Sequence, residues 1–284
     1  MKIPKRIEPL VEEGLVDEVI CQLMSGKEAL VYVVRCGQDI RCAKVYKKAN
    51  ARSFRKSVDY TEGRRERNSR RARAMERGTR YGRKSQEDAW QSVEVDSLCR
   101  LAAAGVRVPQ PYNFFEGVLL MELVTDANDN AAPRLNDLVL TAEQAREYHR
   151  TLVRQVARML CAGVVHGDLS EYNVLAGSDG LVIIDLPQAI GAAANNNARS
   201  MLVRDIENLT GYFGRFAPEL ITTDYGPEIW SLYQRGKLHP DDITLTGRVE
   251  HSKKHVDVVS VMRVVDVVLK KEAAWQRYKQ EMRG

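Results

Sequence analysis

Three residues of this chain stand at intervals that suit phosphoryl transfer. Asp168 and Asn173 lie in His166-Gly167-Asp168-Leu169-Ser170-Glu171-Tyr172-Asn173, and Asp185 follows twelve residues later. One carboxylate can orient an attacking hydroxyl and take its proton, while an amide oxygen and a second carboxylate can hold Mg²⁺ or Mn²⁺ on ATP. Singly, each has a plainer reading. Gly-Asp is a common turn pair, and an aspartate that ends an apolar strand can be an ordinary turn residue. The combination makes Asp168 the candidate catalytic residue and Asn173 with Asp185 the candidate metal ligands.

A second group of residues would serve the phosphates. Lys44 sits in Arg41-Cys42-Ala43-Lys44-Val45-Tyr46, where strand alternation puts Cys42, Lys44 and Tyr46 on one face. A lysine on a partly apolar face needs an anionic partner, although a lone strand lysine usually reaches solvent. Glu94 is the candidate partner, since helical spacing places it on an apolar stripe with Trp90, Leu98 and Leu101. Ser25-Gly26-Lys27-Glu28 forms a turn between two expected strands, so Ser25 and Lys27 are candidate phosphate contacts or an ordinary hairpin loop. Met121-Glu122-Leu123 ends a later strand, where backbone groups could meet an adenine ring or simply close the strand.

The elements that must position these residues are legible in outline. Ile7, Leu10, Val11, Leu15 and Val19 recur at helical spacing and predict a lead-in helix over residues 1–18. Strands are expected at Val19–Leu23, Leu30–Arg35 and Asp39–Tyr46. A helix over 86–104 should stop at Gly105, and a hairpin over Tyr112–Leu123 should turn at Glu116-Gly117. Thr141-Ala142-Glu143-Gln144 is a capping box that opens a helix to about Ala162. Strands then flank the turn Gly177-Ser178-Asp179-Gly180, and the remainder is mainly helical, including Ala198–Phe213 and a stripe of Val258, Val261, Val265 and Val268. The order predicts an α+β chain: a lead-in (1–18), a β-rich lobe with one main helix (19–123) and a mostly helical lobe (124–284).

The net charge of +5 hides a local block. Residues 52–84 carry 13 Lys or Arg against 4 Asp or Glu, a surplus of +9 that leaves the rest of the chain at −4. This block reads as a flexible insertion, either a solvated segment or a contact for nucleic-acid phosphates, with few aromatics to stack on bases. The five cysteines form no CxxC pair, which predicts reduced thiols and a cytoplasmic setting. No apolar run is long enough to span a membrane, so no membrane partner is expected. Ala217-Pro218-Glu219 matches the tripeptide that closes a kinase activation loop, but it follows a helix-patterned stretch and reads as chance.

Taken together, these motifs resemble the RIO family of atypical serine/threonine protein kinases. The likeness covers roughly residues 15–225 and rests on Ser25–Tyr32, Ala43–Tyr46, Ala89-Trp90 through Glu94, His166–Asn173 and Ile183–Gln188. It is closest to the first subfamily, because the short run before the first strand leaves no room for a winged-helix domain. The resemblance implies a trimmed, two-lobed kinase fold without the usual activation loop. It implies Lys44 for the phosphates, Asp168 for catalysis, and Asn173 and Asp185 for the metal. It also implies transfer from ATP to Ser on a protein, including the chain itself, or ATPase turnover through a phosphorylated Asp185, with a link to ribosome maturation. Gly167 stands where members often have Ala, and Leu186-Pro187 replaces Val-Ser, removing a backbone donor beside Asp185. The alternative is a small-molecule phosphotransferase of the aminoglycoside-kinase type, which shares His-Gly-Asp-x-x-x-x-Asn. The Ser25–Glu28 turn and the basic insertion count against it. A non-catalytic RNA-binding module is a third reading, opposed by the complete set of catalytic residues.

Overall fold

A computed structural model describes residues 3–26, 29–47, 93–240 and 244–248 of the chain. The basic block, Lys27, Trp90 and the Val258–Val268 stripe lie outside the described residues. The first helix, α1 (Glu8–Glu12), is shorter than the periodicity predicts. Gly14 takes φ 69° and stops it, and Val19 belongs to the first strand, as the expected Val19–Leu23 strand has it. Leu15 and Val19 share a helical spacing only because a strand residue can fall on that interval by accident.

Five antiparallel strands follow in the spatial order β1-β2-β3-β5-β4. They are β1 (Glu18–Ser25), β2 (Ala29–Cys36), β3 (Asp39–Tyr46), β4 (Pro111–Phe115) and β5 (Val118–Glu122). Helix α2, over residues 93–103, lies between β3 and β4 in sequence and ends before Gly105 at φ 73°. The β4–β5 turn has positive φ at both Glu116 (44°) and Gly117 (76°), the primed geometry that suits the strand twist.

Alternation along these strands builds two hydrophobic clusters. Tyr32, Val34, Ala43, Val45, Val118 and Leu120 face outward and are covered by Leu10 of α1 and by Ile7 just before it. Ala29, Tyr46 and Leu119 face the opposite way, into the cluster that holds Leu98 and Leu101 of α2 and the helical half of the molecule. Lys44, between Ala43 and Val45, therefore projects from the inner face.

The helical half begins with α3 (Ala142–Cys161). Its capping box is complete: the Gln144 amide donates to Thr141 Oγ1 at 3.2 Å, and the Thr141 amide donates to Gln144 Oε1 at 3.0 Å. Two short strand pairs carry the motif loops. β6 (Val164–Val165) pairs with β9 (Ile190–Gly191), and β7 (Val174–Gly177) pairs with β8 (Gly180–Ile183). Helices α4 (Ala198–Phe213) and α5 (Tyr225–Gln234) complete the packing. Residues 186–197 join Asp185 to α4, and their β9 strand is fixed against β6. Ala217-Pro218-Glu219 enters a 3₁₀ turn after α4, and Glu219 pairs with Arg146 of α3 at 2.5 Å. Among the described residues no helix is long and apolar enough to cross a membrane.

Candidate active site

The inner face of β3 and the stripe of α2 bring Lys44 to Glu94. Lys44 Nζ lies 2.6 Å from Glu94 Oε1, and Tyr46 donates its hydroxyl to Glu94 Oε2 at 2.5 Å. Glu94 is buried, so each carboxylate oxygen needs such a partner. Lys44 also reaches Asp185 Oδ1 at 2.9 Å, joining residues 141 positions apart. Burial works to lower the Lys44 pKa, but Glu94 and then Asp185 outweigh it and hold the ammonium well above its ordinary value. Burial and then the Glu94 carboxylate push the Tyr46 phenol up, so it remains a donor.

The Asp168 loop is held differently, through its backbone. Asp205 of α4 is buried and accepts from the amides of Gly167 (2.8 Å) and Leu169 (3.0 Å), which straddle Asp168. Arg204 donates to the Gly167 carbonyl, and Asn208 donates to the Leu169 carbonyl at 3.1 Å. Thus three residues on one turn of α4 grip both sides of the candidate catalytic carboxylate. The Asp168 amide lies 3.3 Å from His166 Nδ1, and His166 Nε2 lies 3.1 Å from the Ile184 carbonyl, so the ring bridges the loop and the residue before Asp185. The Asp168 side chain itself faces solvent. Burial of its surroundings pushes its pKa up against the opposing pull of His166 and Arg204, with Asp185 adding to the rise. Desolvation raises the Asp205 carboxyl to about 6, despite the amides that favour its charge.

Asn173 closes the loop. Its Nδ2 donates to the Asp168 carbonyl at 2.8 Å, which directs Oδ1 away from that bond. Its own carbonyl accepts from the Ile184 amide at 3.0 Å, tying the loop to the strand that leads into Asp185. Asp185 sits at φ 67°, a left-handed conformation that costs a non-glycine residue about 1–3 kcal/mol and concentrates at functional sites. Burial acts to raise its carboxyl pKa, but Lys44, with His166 and Arg134 adding, brings it below the usual range. Among the described residues no cluster of three or more His, Cys, Asp or Glu side chains could by itself hold a metal ion. One carboxylate and one amide oxygen suit Mg²⁺, which takes few protein ligands and completes its shell with water and phosphate oxygens.

The remaining candidates divide. Met121 pairs with Cys42 across β3 and β5 and so lies on the Lys44 face. Leu123 follows the strand end and is half-buried. Neither the amide nor the carboxylate of Glu122 is left for a ligand. The amide donates to the Gln110 carbonyl at 2.9 Å, and the carboxylate takes two bonds from Arg107, at 2.8 and 2.6 Å. Ser25 is displaced as a side-chain phosphate contact, because it pairs with Leu30 on the outer face. Register shifts in β1 place Met24 on the inner face instead, opposite Val31.

Sequence reasoning missed Asp205 and Arg107. Asp205 shows the same signal that singles out Glu94: a carboxylate on an apolar helix stripe, here with Met201, Leu202 and Leu209. Arg107 has no such signal. It lies in a loop and gathers Glu122 and Asp179, 15 and 72 residues away.

With this geometry in view, comparison with known proteins is specific. A model of the RIO domain matches residues 30–225. The RIO-type serine/threonine-protein kinase Rio1 of Haloferax volcanii is 37% identical over 210 residues, which cover 74% of this chain and 68% of that protein. The human serine/threonine-protein kinase RIO1 is 27% identical over 215 residues, 75% of this chain but 36% of that protein. This chain thus spans about a third of its human relative. The solved Rio2 kinase–ADP/Mg²⁺–phosphoaspartate complex from Chaetomium thermophilum shares the fold, with a TM-score of 0.51 at 20% identity over 74% of this chain and 59% of that one.

Proposed function

Because the chain belongs to the RIO family of serine/threonine-protein kinases, within its Rio1 branch, we propose that it moves the γ-phosphate of ATP to a serine hydroxyl, on a protein substrate or on itself. The observation that carries this reading is the Lys44–Asp185 contact at 2.9 Å, which unites the Glu94-anchored lysine with the end of the Asp168–Asn173 loop strand. In the proposed reaction Asp168 accepts the proton of the serine hydroxyl as that oxygen attacks the γ-phosphorus. The bond to the β,γ-bridging oxygen breaks, and ADP departs. Lys44 offsets phosphate charge, and Glu94 keeps its ammonium in place. Asn173 Oδ1 and the Asp185 carboxylate would hold Mg²⁺, which supplies charge neutralisation on the phosphates when bound. Adenine contact falls to the inner face at Met121 and to the backbone around Leu123. The boundary between the lobes is placed after Leu123, with the insertion 52–84 in the first.

A second outcome of the same site is favoured by the phosphoaspartate in the solved Rio2 complex. Here an Asp185 oxygen takes the phosphoryl group, ADP leaves, and water hydrolyses the acyl phosphate to restore the carboxylate. The net reaction is then ATP hydrolysis. A ribosome or RNA contact through the basic block is proposed on charge alone. Cys21, Cys36, Cys42 and Cys99 carry free thiols, which fit a reducing, cytoplasmic setting.

The test is incubation of the chain with Mg²⁺ and γ-labelled ATP, followed by separation of the products. Phosphoserine on the chain or on an added protein supports the kinase, and labelled inorganic phosphate supports the hydrolytic branch. Transfer only to a small alcohol would support the aminoglycoside-kinase alternative, and no turnover would contradict every catalytic reading.

A further inference from the structure

Arg134 is a fixed cation at the rim of the candidate site, and the ion pairs of that site do not use it. Its backbone is locked on both sides. Arg134 forms an antiparallel bridge with Leu175 of β7, the strand that starts directly after Asn173. The preceding Pro133 carbonyl accepts from the Ala176 amide at 2.9 Å, and the following Leu135 carbonyl accepts from the Tyr212 hydroxyl at 2.6 Å. From this anchored position the guanidinium crosses to the sheet, where Nη2 lies 3.1 Å from the Met24 sulfur.

A thioether is a weak, neutral acceptor and a poor partner for a guanidinium, which forms its strong bonds with carboxylate and phosphate oxygens. No Arg134–carboxylate pair stands among the ion pairs of the described residues. The register shows where the guanidinium has been brought. Met24 pairs with Val31, and Val31 pairs with Lys44, so the three share the inner face of the sheet. With neighbouring strands about 4.8 Å apart, Met24 and Lys44 are on the order of 10 Å apart. Lys44 and, through its contact with Met24, Arg134 thus stand over one face of the sheet, with Met24 and Lys44 two strands apart, a spacing a polyphosphate chain can span.

We propose that Arg134 binds the phosphates of the nucleotide, leaving Met24 to do so and clamping the β1 end of the sheet over the β7 side of the site. This rests on the reading of the site as an ATP site, and it adds a positioning residue that the motifs do not contain. A charge-assisted contact of this kind at a partly exposed position is worth about tenfold in affinity.

The experiment is titration of the full chain, with Mg²⁺, by adenosine, AMP, ADP and ATP, for the parent, Arg134→Gln and Arg134→Lys. Adenosine binding serves as the control for folding. The expected result is a loss of about tenfold for ADP and ATP in Arg134→Gln with adenosine affinity held within twofold, and partial recovery in Arg134→Lys. Equal losses for adenosine and ADP would overturn the proposal by making Arg134 a packing residue, and so would unchanged ADP affinity in Arg134→Gln. A parent that binds no nucleotide and no adenosine would overturn the reading of the site itself, and the proposal with it.

Discussion

Lys44 and Asp168 belong to one site but are held by different physics. Lys44 is fixed by charge: a buried carboxylate on one side, Asp185 on the other, and a tyrosine hydroxyl that completes Glu94. Asp168 is fixed by its backbone, through amides and carbonyls bound to Asp205, Arg204 and Asn208 of α4. Changes on the first side strand a buried charge, whereas changes on the second leave charges paired but let the loop drift. The comparison teaches that affinity for nucleotide and rate of transfer should be separable by mutation.

The largest effect short of Asp168 itself is expected at Asp185, where both halves meet. Asp185→Ala removes the Lys44 contact and a proposed metal ligand together, and should reduce transfer by about 10³-fold in a steady-state assay. Lys44→Ala should cut kcat/KM by about 10²-fold and weaken nucleotide affinity, because it also leaves Glu94 buried beside Tyr46 alone. An unchanged turnover and affinity would sink the Lys44–Glu94 pairing. Asp205→Asn should lower kcat by about tenfold while nucleotide affinity stays near that of the parent, since only the loop amides lose an acceptor. Tyr46→Phe is the mildest: it leaves one Glu94 oxygen unsatisfied, for about 1–2 kcal/mol of stability by denaturant unfolding and a small change in nucleotide affinity.

The same variants sharpen the comparison through pH. The Asp205 carboxyl is raised in the folded protein from 3.8 to about 6. The folded state therefore binds more protons than the unfolded chain between those values, and this residue's contribution to stability declines as pH rises through them. Asp205→Asn lacks that term, so its stability deficit should be greatest at pH 4 and below, shrink as pH rises to about 6, and stay level above it, as read from unfolding midpoints. Asp168 is also raised, by burial, so the acid limb of the pH–rate profile should lie above the range of an ordinary aspartate.

How far the sequence could be read follows from the range of each signal. Local chemistry was legible: the Thr141 capping box, the Glu116-Gly117 turn and the Ala198–Phe213 helix all depend on a few adjacent residues or one period. The Lys44–Glu94 contact was legible across 50 residues because two out-of-place charges asked for each other. Asp205 carried the same apolar-stripe signal, but its partners are amides, and amides leave no mark in a sequence. The side of the sheet that Ser25 faces was not legible either, because it depends on register shifts within β1. The lead-in helix is shorter than the spacing of Leu15 and Val19 implies, because Gly14 ends it before either residue.

The most direct test of the account separates binding from transfer in Asp168→Ala, with ATP affinity measured by titration and phosphoryl transfer by single turnover with γ-labelled ATP and Mg²⁺. Lys44, Glu94, Asn173 and Asp185 are untouched in this variant, so ATP affinity should stay within about threefold of the parent while transfer falls by about 10³-fold, within the span of general-base contributions. Transfer within tenfold of the parent, at preserved affinity, would contradict the role of Asp168 and the site built around it.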